Sequence, residues 1–265
     1  MTAPASPDSH VVSPDGTRIA CWTLGAGPPL VLVHGTADDH SIWTAVMEPL
    51  SARSRVIAYD RRGRGESGDH SAHSIEKEAE DLAAVVASAG APVRLLGHSY
   101  GGLVALAALP RISERVQRLV LYEAPYRIPI EAKHRDRLEK HLAAGDEEGI
   151  LTTFVLDVAR GAPDELAMVR SMPPVWEQMK RVAHTIPREV EAVTRFRLRG
   201  PHPPLLPTLL LQGTRSDRMM TGAARALLAA MPAAEIAVEQ LEGQGHLAMV
   251  FAPELFAGAV DRFLG

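Results

Sequence analysis

Continuous apolar runs alternate along this chain with segments whose apolar residues recur at helical spacing. The apolar runs are too uniform for half-exposed strands, so they predict central strands that are covered on both faces of a sheet. The predicted strands are residues 30–33, 55–59, 93–96, 116–122, 208–211 and 235–239, and a hairpin (10–12 and 17–24) precedes them. The helical segments between and after them are 41–50, 74–89, 103–109, 223–230 and 253–263. Strands that alternate with helices predict an α/β fold with a mostly parallel sheet, helices on both faces and the carboxyl ends of the parallel strands at one edge.

The alternation stops in the middle of the chain. Residues 126–200 contain no strand pattern, and their helical stretches are separated by glycines and prolines. We therefore expect a helical insertion at 126–200, a core made of 1–125 and 201–265, and a stiff proline-rich connector at 201–204.

Composition and charge narrow the class of partner. The chain has 265 residues, with 28 Lys and Arg against 32 Asp and Glu, a net charge of −4, so nothing in its charge suggests nucleic acid or an anionic membrane as a partner. The single cysteine, Cys21, lies in a predicted strand and is expected to be a buried, inert thiol. No signal-peptide pattern and no uninterrupted run of 18 apolar residues is present. We expect a soluble, cytoplasmic monomer or homodimer that acts on a small molecule.

One short segment combines a structural constraint with chemistry. In Gly97-His98-Ser99-Tyr100-Gly101, a serine stands between a predicted strand and a predicted helix, and two glycines flank it at a distance of two residues. A serine at such a turn projects its hydroxyl, and small residues on both sides let the strand and helix approach each other. The next backbone N–H and the positive end of the helix dipole lie beside the serine, where an oxyanion develops during acyl transfer.

With this Gly-x-Ser-x-Gly motif, the chain resembles an α/β-hydrolase. Three further landmarks follow predicted strands in the matching order: His34-Gly35, the polar segment 60–67, and Gly-x-Gly-His at 243–246. The resemblance covers nearly the whole chain and implies that the helical insertion is a cap domain and that Ser99 is the nucleophile. It also implies that His246 is the general base, and that the backbone N–H groups of Tyr100 and Thr36 form the oxyanion hole.

The acid that completes the triad is open between two residues. The common pattern of the family places it three residues after Gly213, which is Ser216 here, and Asp217 comes one residue late. A second pattern, that of some haloalkane dehalogenases and mycotoxin lactonases, places it at the end of the strand after the serine helix, where Glu123 stands. A carboxylate at the edge of an apolar core is costly unless it has a partner, so we favour Glu123 and keep Asp217 as the alternative.

The sequence also supports expectations about the roles of several other side chains. We expect Arg61, Arg62 and Arg64 to brace their loop through ion pairs rather than bind an anionic substrate. His98 is expected to point off the other side of the turn, and His34 to brace its loop. His70 and His73 lack a third ligand, so we expect no metal, and nothing in the sequence implies a cofactor. Substrate-binding candidates in the insertion are Met168, Met172 and Trp176, for which pocket lining and core packing are equally open.

These residues together predict a serine hydrolase that cleaves a carboxylic ester or lactone of an apolar small molecule through an acyl-enzyme on Ser99. The same triad also serves cofactor-free haloperoxidases and C–C lyases, and a ligand receptor can retain a hydrolase pocket without turnover, so these alternatives stay open.

Overall fold

The computed structural model describes residues 6–198, 206–231 and 235–265. These residues form one eight-stranded sheet in the order β1-β2-β4-β3-β5-β6-β7-β8. The strands are β1 Ser9–Val12, β2 Arg18–Leu24, β3 Pro29–Val33, β4 Arg55–Tyr59, β5 Val93–His98, β6 Val116–Tyr122, β7 Thr208–Gly213 and β8 Ile236–Leu241. The β1–β2 and β2–β4 pairs are antiparallel and every other pair is parallel, which confirms the α/β fold with a mostly parallel sheet.

Helices cover both faces of this sheet. The helices outside the insertion are α1 Thr44–Ser51, α2 Ile75–Ser88, α3 Tyr100–Ile112, α9 Arg218–Ala230, α10 Ala248–Phe251 and α11 Pro253–Leu264. Side chains of α2, α3 and α9 pack in one apolar cluster with Val31 and Val33, and those of α1, α10 and α11 pack in a second with Leu30 and Leu32. Alternate residues of β3 therefore enter opposite layers, and all five residues of the strand are buried, as the continuous apolar run predicts.

The segment between β6 and β7 consists of helices and their connections, and its described residues contain no strand. Its helices are α4 Ala132–Ala144, α5 Glu147–Thr153, α6 Pro163–Arg170, α7 Pro173–Val182 and α8 Ile186–Arg195. They have an apolar cluster of their own, which includes Leu138, Ile150 and Ile186. The predicted connector at 201–204 and the boundary between insertion and core at residue 200 lie outside the described residues.

Several helix boundaries differ from the sequence prediction. The predicted helix 103–109 begins at Tyr100, and the predicted helix 223–230 begins at Arg218. Residues 41–50 divide into a 3₁₀ turn, His40–Trp43, and α1. Ser74 caps α2 by accepting a hydrogen bond from the N–H of Lys77, as predicted. In the described part of the chain, every helix is too short or too polar to cross a membrane.

Candidate active site

Ser99 occupies the sharp turn from β5 into α3. Its φ of 52° and ψ of −126° are unusual for a residue with a side chain, and such strain is typical of a serine presented at the edge of a sheet. The flanking glycines are required by space, because a Cβ on Gly97 would lie 2.7 Å from the Cα of Gly102 and one on Gly101 would lie 2.2 Å from the carbonyl oxygen of Val33. The Ser99 side chain does not cap α3, although the residue stands at the N-cap position. The hydroxyl is therefore not consumed by the helix that follows it.

His246 pairs with Glu123. Its Nδ1 lies 2.6 Å from Oε2 of Glu123, while Oε1 accepts a hydrogen bond from the N–H of Gly213 at 2.8 Å. Burial by itself raises the pKa of Glu123, but the hydrogen bond and charge of His246 outweigh it, and the pKa is lowered. A carboxylate bound at Nδ1 makes that nitrogen the proton donor, which leaves Nε2 as the proton acceptor of a neutral imidazole.

Asp217, the alternative acid, caps a helix instead of contacting His246. It is the N-cap of α9, where its side chain accepts a hydrogen bond from the N–H of Met219 at 2.7 Å. This is the ordinary use of an aspartate that directly precedes a helix. The structure thus brings Glu123, and not Asp217, to the imidazole of His246. Glu123 also has a positive φ of 50°, so the chain turns sharply immediately after β6 to present it.

Two backbone N–H groups can face an oxyanion at Ser99. The N–H of Tyr100 belongs to the first turn of α3 and so has no partner within its own helix. The carbonyl oxygen of Gly35 lies 2.8 Å from Nη2 of Arg61 and 3.0 Å from Nδ1 of His34. Because the N–H and C=O of a trans peptide point in opposite directions, these bonds turn the N–H of Thr36 away from Arg61. The ring of Tyr100 is fully buried with Arg61 4.7 Å above its centroid, so its hydroxyl does not contact the site.

The segment after β4, here called the arginine loop (residues 60–67), holds residues 34–36 in place. These residues are called the oxyanion loop because they carry the N–H of Thr36. The backbone N–H of Arg61 donates to Nε2 of His34 at 3.1 Å, and its Nε donates to the carbonyl of His34 at 3.0 Å. His34 therefore braces the loop, as predicted, and burial together with the charges of Arg61 and Arg64 lowers its pKa well below the usual range. Both ring nitrogens of His34 take part in hydrogen bonds, so the orientation of the ring is fixed.

All three arginines of this loop are buried in ion pairs. Arg61 contacts Glu78 at 2.5 Å and Glu189 of α8 at 2.7 Å. Arg62 binds Asp81 through two nitrogens, and Arg64 contacts Glu189. The prediction that these arginines brace their loop is confirmed. The network also ties the core to the helical insertion, since Glu189 belongs to the insertion.

His98 and Tyr122 are parts of the site that the sequence analysis missed. His98 was expected to point away from the nucleophile, but its ring centroid lies 4.6 Å from that of His246, and its Nε2 lies 3.0 Å from the carbonyl oxygen of His246. The Tyr122 hydroxyl donates to the carbonyl of Gly245 and accepts from the N–H of Ala248. Three contacts therefore hold the loop that carries His246. Two sequence signals could have indicated these roles. Tyr122 is an aromatic residue directly before the candidate acid, and His98 is a histidine directly before the candidate nucleophile.

The substrate-binding candidates of the insertion occupy different environments. Trp176 is buried in the apolar cluster of the insertion, where its indole nitrogen donates to Glu148, whereas Met168 is 49% exposed and Met172 is half-buried. Ala37, which follows the oxyanion loop, belongs to the same cluster as Trp176. Packing explains the burial of Trp176, and the role of these three residues in binding substrate stays a prediction.

One group of candidate metal ligands occurs among the described residues. Side-chain atoms of Asp39, His40 and Asp60 lie within 4.8 Å of one another. Protein groups already use the carboxylate of Asp60, because Oδ1 contacts the N–H and Nδ1 of His40 at 2.8 Å, and Oδ2 accepts from the N–H of Glu66 at 2.8 Å. The ring of His40 also stacks on Trp22 at 3.4 Å. These bonds account for the cluster without an ion.

Comparison with known proteins gives a consistent assignment. Residues 30–259 match the model of the alpha/beta hydrolase family. The crystal structure of an alpha/beta hydrolase from Sphaerobacter thermophilus is 33% identical, with a TM-score of 0.83, and the match covers 97% of this chain and 100% of that one.

Two curated relatives are also hydrolases by name, but they match this chain at lower coverage or lower identity. A putative carbamate hydrolase of Azorhizobium caulinodans is 27% identical over 91% of this chain and 92% of its own. A pimeloyl-[acyl-carrier protein] methyl ester esterase of Nitrosomonas europaea is 34% identical over 52% of this chain and 50% of its own. Mycobacterial relatives are 39% identical over 43% of this chain, which spans only 21% of their own length.

Proposed function

The chain belongs to the alpha/beta hydrolase family, and we propose that it is a serine hydrolase that cleaves a carboxylic ester or lactone of an apolar small molecule. The observation that carries this proposal is the 2.6 Å contact between His246 Nδ1 and Glu123. It leaves Nε2 of His246 as a base on the loop that packs against His98, the neighbour of Ser99 in the chain. The esterase from Nitrosomonas europaea supports ester cleavage as the reaction class.

In the proposed mechanism, Ser99 Oγ attacks the carbonyl carbon of the ester while Nε2 of His246 accepts its proton. Glu123 keeps the imidazole in the tautomer that can accept this proton and stabilises the imidazolium that forms. The N–H groups of Tyr100 and Thr36 stabilise the oxyanion of the tetrahedral intermediate. The imidazolium then protonates the leaving alkoxide, and an acyl-enzyme on Ser99 remains.

The second half of the cycle uses the same groups. His246 accepts a proton from a water molecule, the resulting hydroxide attacks the acyl carbon, and Ser99 is regenerated when His246 returns the proton. Every step uses residues of this chain and water, and no cofactor enters the mechanism.

The test compares Ser99→Ala with Ser113→Ala, a control at the opposite end of the same helix. With p-nitrophenyl butyrate as substrate, we expect kcat of Ser99→Ala to fall by at least about 10⁴-fold and the control to stay within threefold of the unmodified protein. A fluorophosphonate probe should label the unmodified protein and the control, but not Ser99→Ala.

Three results would contradict the proposal. Absence of both turnover and labelling would favour a ligand receptor. Turnover that survives in Ser99→Ala would remove Ser99 from the mechanism. Bromination of an acceptor with hydrogen peroxide and bromide, or C–C cleavage, at a higher kcat/KM than any ester or lactone would favour a haloperoxidase or a lyase.

A further inference from the structure

Asp38 is a carboxyl group beside Ser99 to which the proposed mechanism gives no role. Its side chain is 15% exposed, and it follows the oxyanion loop. A methyl group placed on Gly35 would lie 3.1 Å from Cβ of Ser99, 3.1 Å from Nδ1 of His98 and 3.2 Å from Oδ2 of Asp38. The nucleophile, one histidine and this carboxyl therefore lie close to one another around Gly35.

The tautomer of His98 bears on the proton content of Asp38. Nε2 of His98 must carry a proton, because it lies 3.0 Å from the carbonyl oxygen of His246, which can only accept. Burial, followed by the charge of His246, lowers the pKa of His98 well below the usual range, so Nδ1 carries a lone pair instead of a second proton. This atom is buried without a hydrogen-bond partner among the described residues, and Oδ2 of Asp38 lies 3.9 Å from it. A lone pair disfavours a carboxylate at this distance and favours a carboxylic acid.

The burial of Asp38 and the charges around it, taken together, also favour its protonated form. Burial and the neighbouring charge of Asp39 raise the pKa of Asp38 to about 7, in spite of opposing cations. The titratable and charged groups that face it come from its own loop, the end of β5, the loop before α10 and the arginine loop: Asp39, His98, His246, Arg61 and Arg64. Near neutral pH the protonated carboxyl is therefore populated and presents a hydrogen-bond donor at this position.

We propose that Asp38 is a specificity-determining residue whose carboxyl hydrogen-bonds an uncharged polar group of the substrate and rejects substrates with a carboxylate at that position. The proposal rests on the function proposed above and deepens it. It assigns the protein to neutral esters that carry a second acceptor group, such as a carbonyl, near the scissile bond. Two negative charges at one poorly solvated site repel each other, whereas a protonated acid donates to a neutral carbonyl.

Three ethyl esters of matched length test this assignment. Diethyl glutarate carries a neutral carbonyl at the far end, monoethyl glutarate carries a carboxylate there, and ethyl pentanoate carries neither. Hydrolysis is followed by titration of the released acid at pH 8. We expect kcat/KM for diethyl glutarate to exceed that for monoethyl glutarate by at least about 30-fold.

Asp38→Asn removes the negative charge and retains a donor. We expect it to reduce this preference at least tenfold by raising kcat/KM for monoethyl glutarate relative to that for ethyl pentanoate. The matched control is Asp261→Asn. Asp261 is also an acid whose pKa is raised by burial, but the charges nearest to it, Arg53 and Arg94, stand at the beginning of the parallel strands, opposite Ser99. The control should retain the full preference.

A pH series on the unmodified protein tests the same proposal without a variant. The ratio of kcat/KM for diethyl glutarate to that for ethyl pentanoate should fall about fivefold between pH 5.5 and pH 8.5, as Asp38 changes from donor to acceptor. Effects of pH that are common to both substrates cancel from the ratio. A ratio that is flat with pH, or an Asp38→Asn variant that still rejects monoethyl glutarate, overturns the proposal. Failure of the proposed function is distinguishable, because all three esters would then be left unhydrolysed or their hydrolysis would persist in Ser99→Ala.

Discussion

The arginine loop and the surroundings of Ser99 are two buried polar regions that share the loop at His34 and Gly35, yet they differ in how their charges are satisfied. In the arginine loop, each guanidinium has a buried carboxylate partner within about hydrogen-bond distance. Around Ser99, the backbone is strained at Ser99 and Glu123, one histidine nitrogen has no hydrogen-bond partner within the described part of the chain, and one carboxyl has a raised pKa.

This difference distinguishes two uses of buried charge. Buried ions that are paired with an opposite charge fix a structure, and breaking one pair is costly. Groups held in strained backbone with unfilled hydrogen-bonding capacity are typical of a site that awaits another molecule. Substitutions in the first region should thus alter stability, and substitutions in the second should alter turnover.

The largest effect is expected from Glu123→Gln. Glutamine retains the shape of the side chain but can present its amide N–H to His246, which would favour the wrong tautomer. We expect kcat for p-nitrophenyl butyrate to fall roughly 10³- to 10⁴-fold, with the melting temperature little changed. The matched control is Asp217→Asn, which should keep kcat within threefold because Asp217 caps α9. The reverse outcome would restore Asp217 as the triad acid.

Glu189→Gln should lower the stability of the fold by disrupting the ion pairs of the arginine loop. Glu189 is fully buried between Arg61 and Arg64, so its neutralisation leaves two buried cations short of a partner. We expect the free energy of unfolding in urea to fall by about 3–5 kcal/mol. Glu191→Gln, on the same helix, removes a carboxylate that is 33% exposed and pairs with Arg135, and it should cost less than about 1 kcal/mol. Equal losses in the two variants would show that burial of the pair is not what matters.

Tyr122→Phe should show a smaller effect on both quantities. The hydroxyl bonds to Gly245 and Ala248, on either side of His246, so its loss loosens the loop of the base. We expect kcat to fall about tenfold and the free energy of unfolding to fall by about 1–2 kcal/mol. Tyr126→Phe, at a buried tyrosine whose ring packs against Phe196, is the control. If kcat of Tyr122→Phe equals that of the control, the hydroxyl does not position His246.

The smallest expected effect is a slope of stability with pH. Burial alone would raise the pKa of Glu78, but the charge of Arg61 and the hydrogen bond from His73 outweigh it, so its pKa lies well below the usual range. A carboxyl with a lowered pKa stabilises the fold above its unfolded pKa of about 4.3, and this contribution is lost as the pH falls towards the folded value. Urea unfolding between pH 5 and pH 3 should show stability falling by at most about 1.4 kcal/mol per pH unit for this group. Glu78→Gln should have a shallower slope, and an unchanged slope would remove Glu78 as its source.

The sequence predicted the sheet well because its signal is local. Continuous apolar runs mark strands buried on both faces, although the strand before Ser99 continues to His98, two residues past its predicted end at Leu96. The start of α3 was missed because Gly101 and Gly102 are weak helix formers, and tertiary packing against Val33 and Ala124 places them in a helix. The start of α9 was missed although Asp217, read as a candidate acid, carried the cap signal.

The parts of the site that escaped prediction depend on contacts between distant segments. The approach of His98 to His246 joins residues 148 positions apart, and no local pattern records it. Asp38 looks like any polar loop residue until the turn at Gly35 brings it towards Ser99. Glu123 was singled out only because a family resemblance offered a second position for the acid; its apolar strand showed that a carboxylate there needs a partner, but not which one.

The double contact of Glu189, to Arg61 on one side and Arg64 on the other, also bears on the design of chimeric enzymes. Exchanging residues 126–200 for the corresponding segment of another family member would delete Glu189 and the Thr185 hydroxyl that accepts from Arg64 at 2.8 Å. Arg64 would then lose its carboxylate partner, and Arg61 would keep only Glu78 beside the peptide that carries the N–H of Thr36. A graft that aims only to transfer substrate preference must therefore carry an acidic residue at position 189, or replace both arginines at the same time.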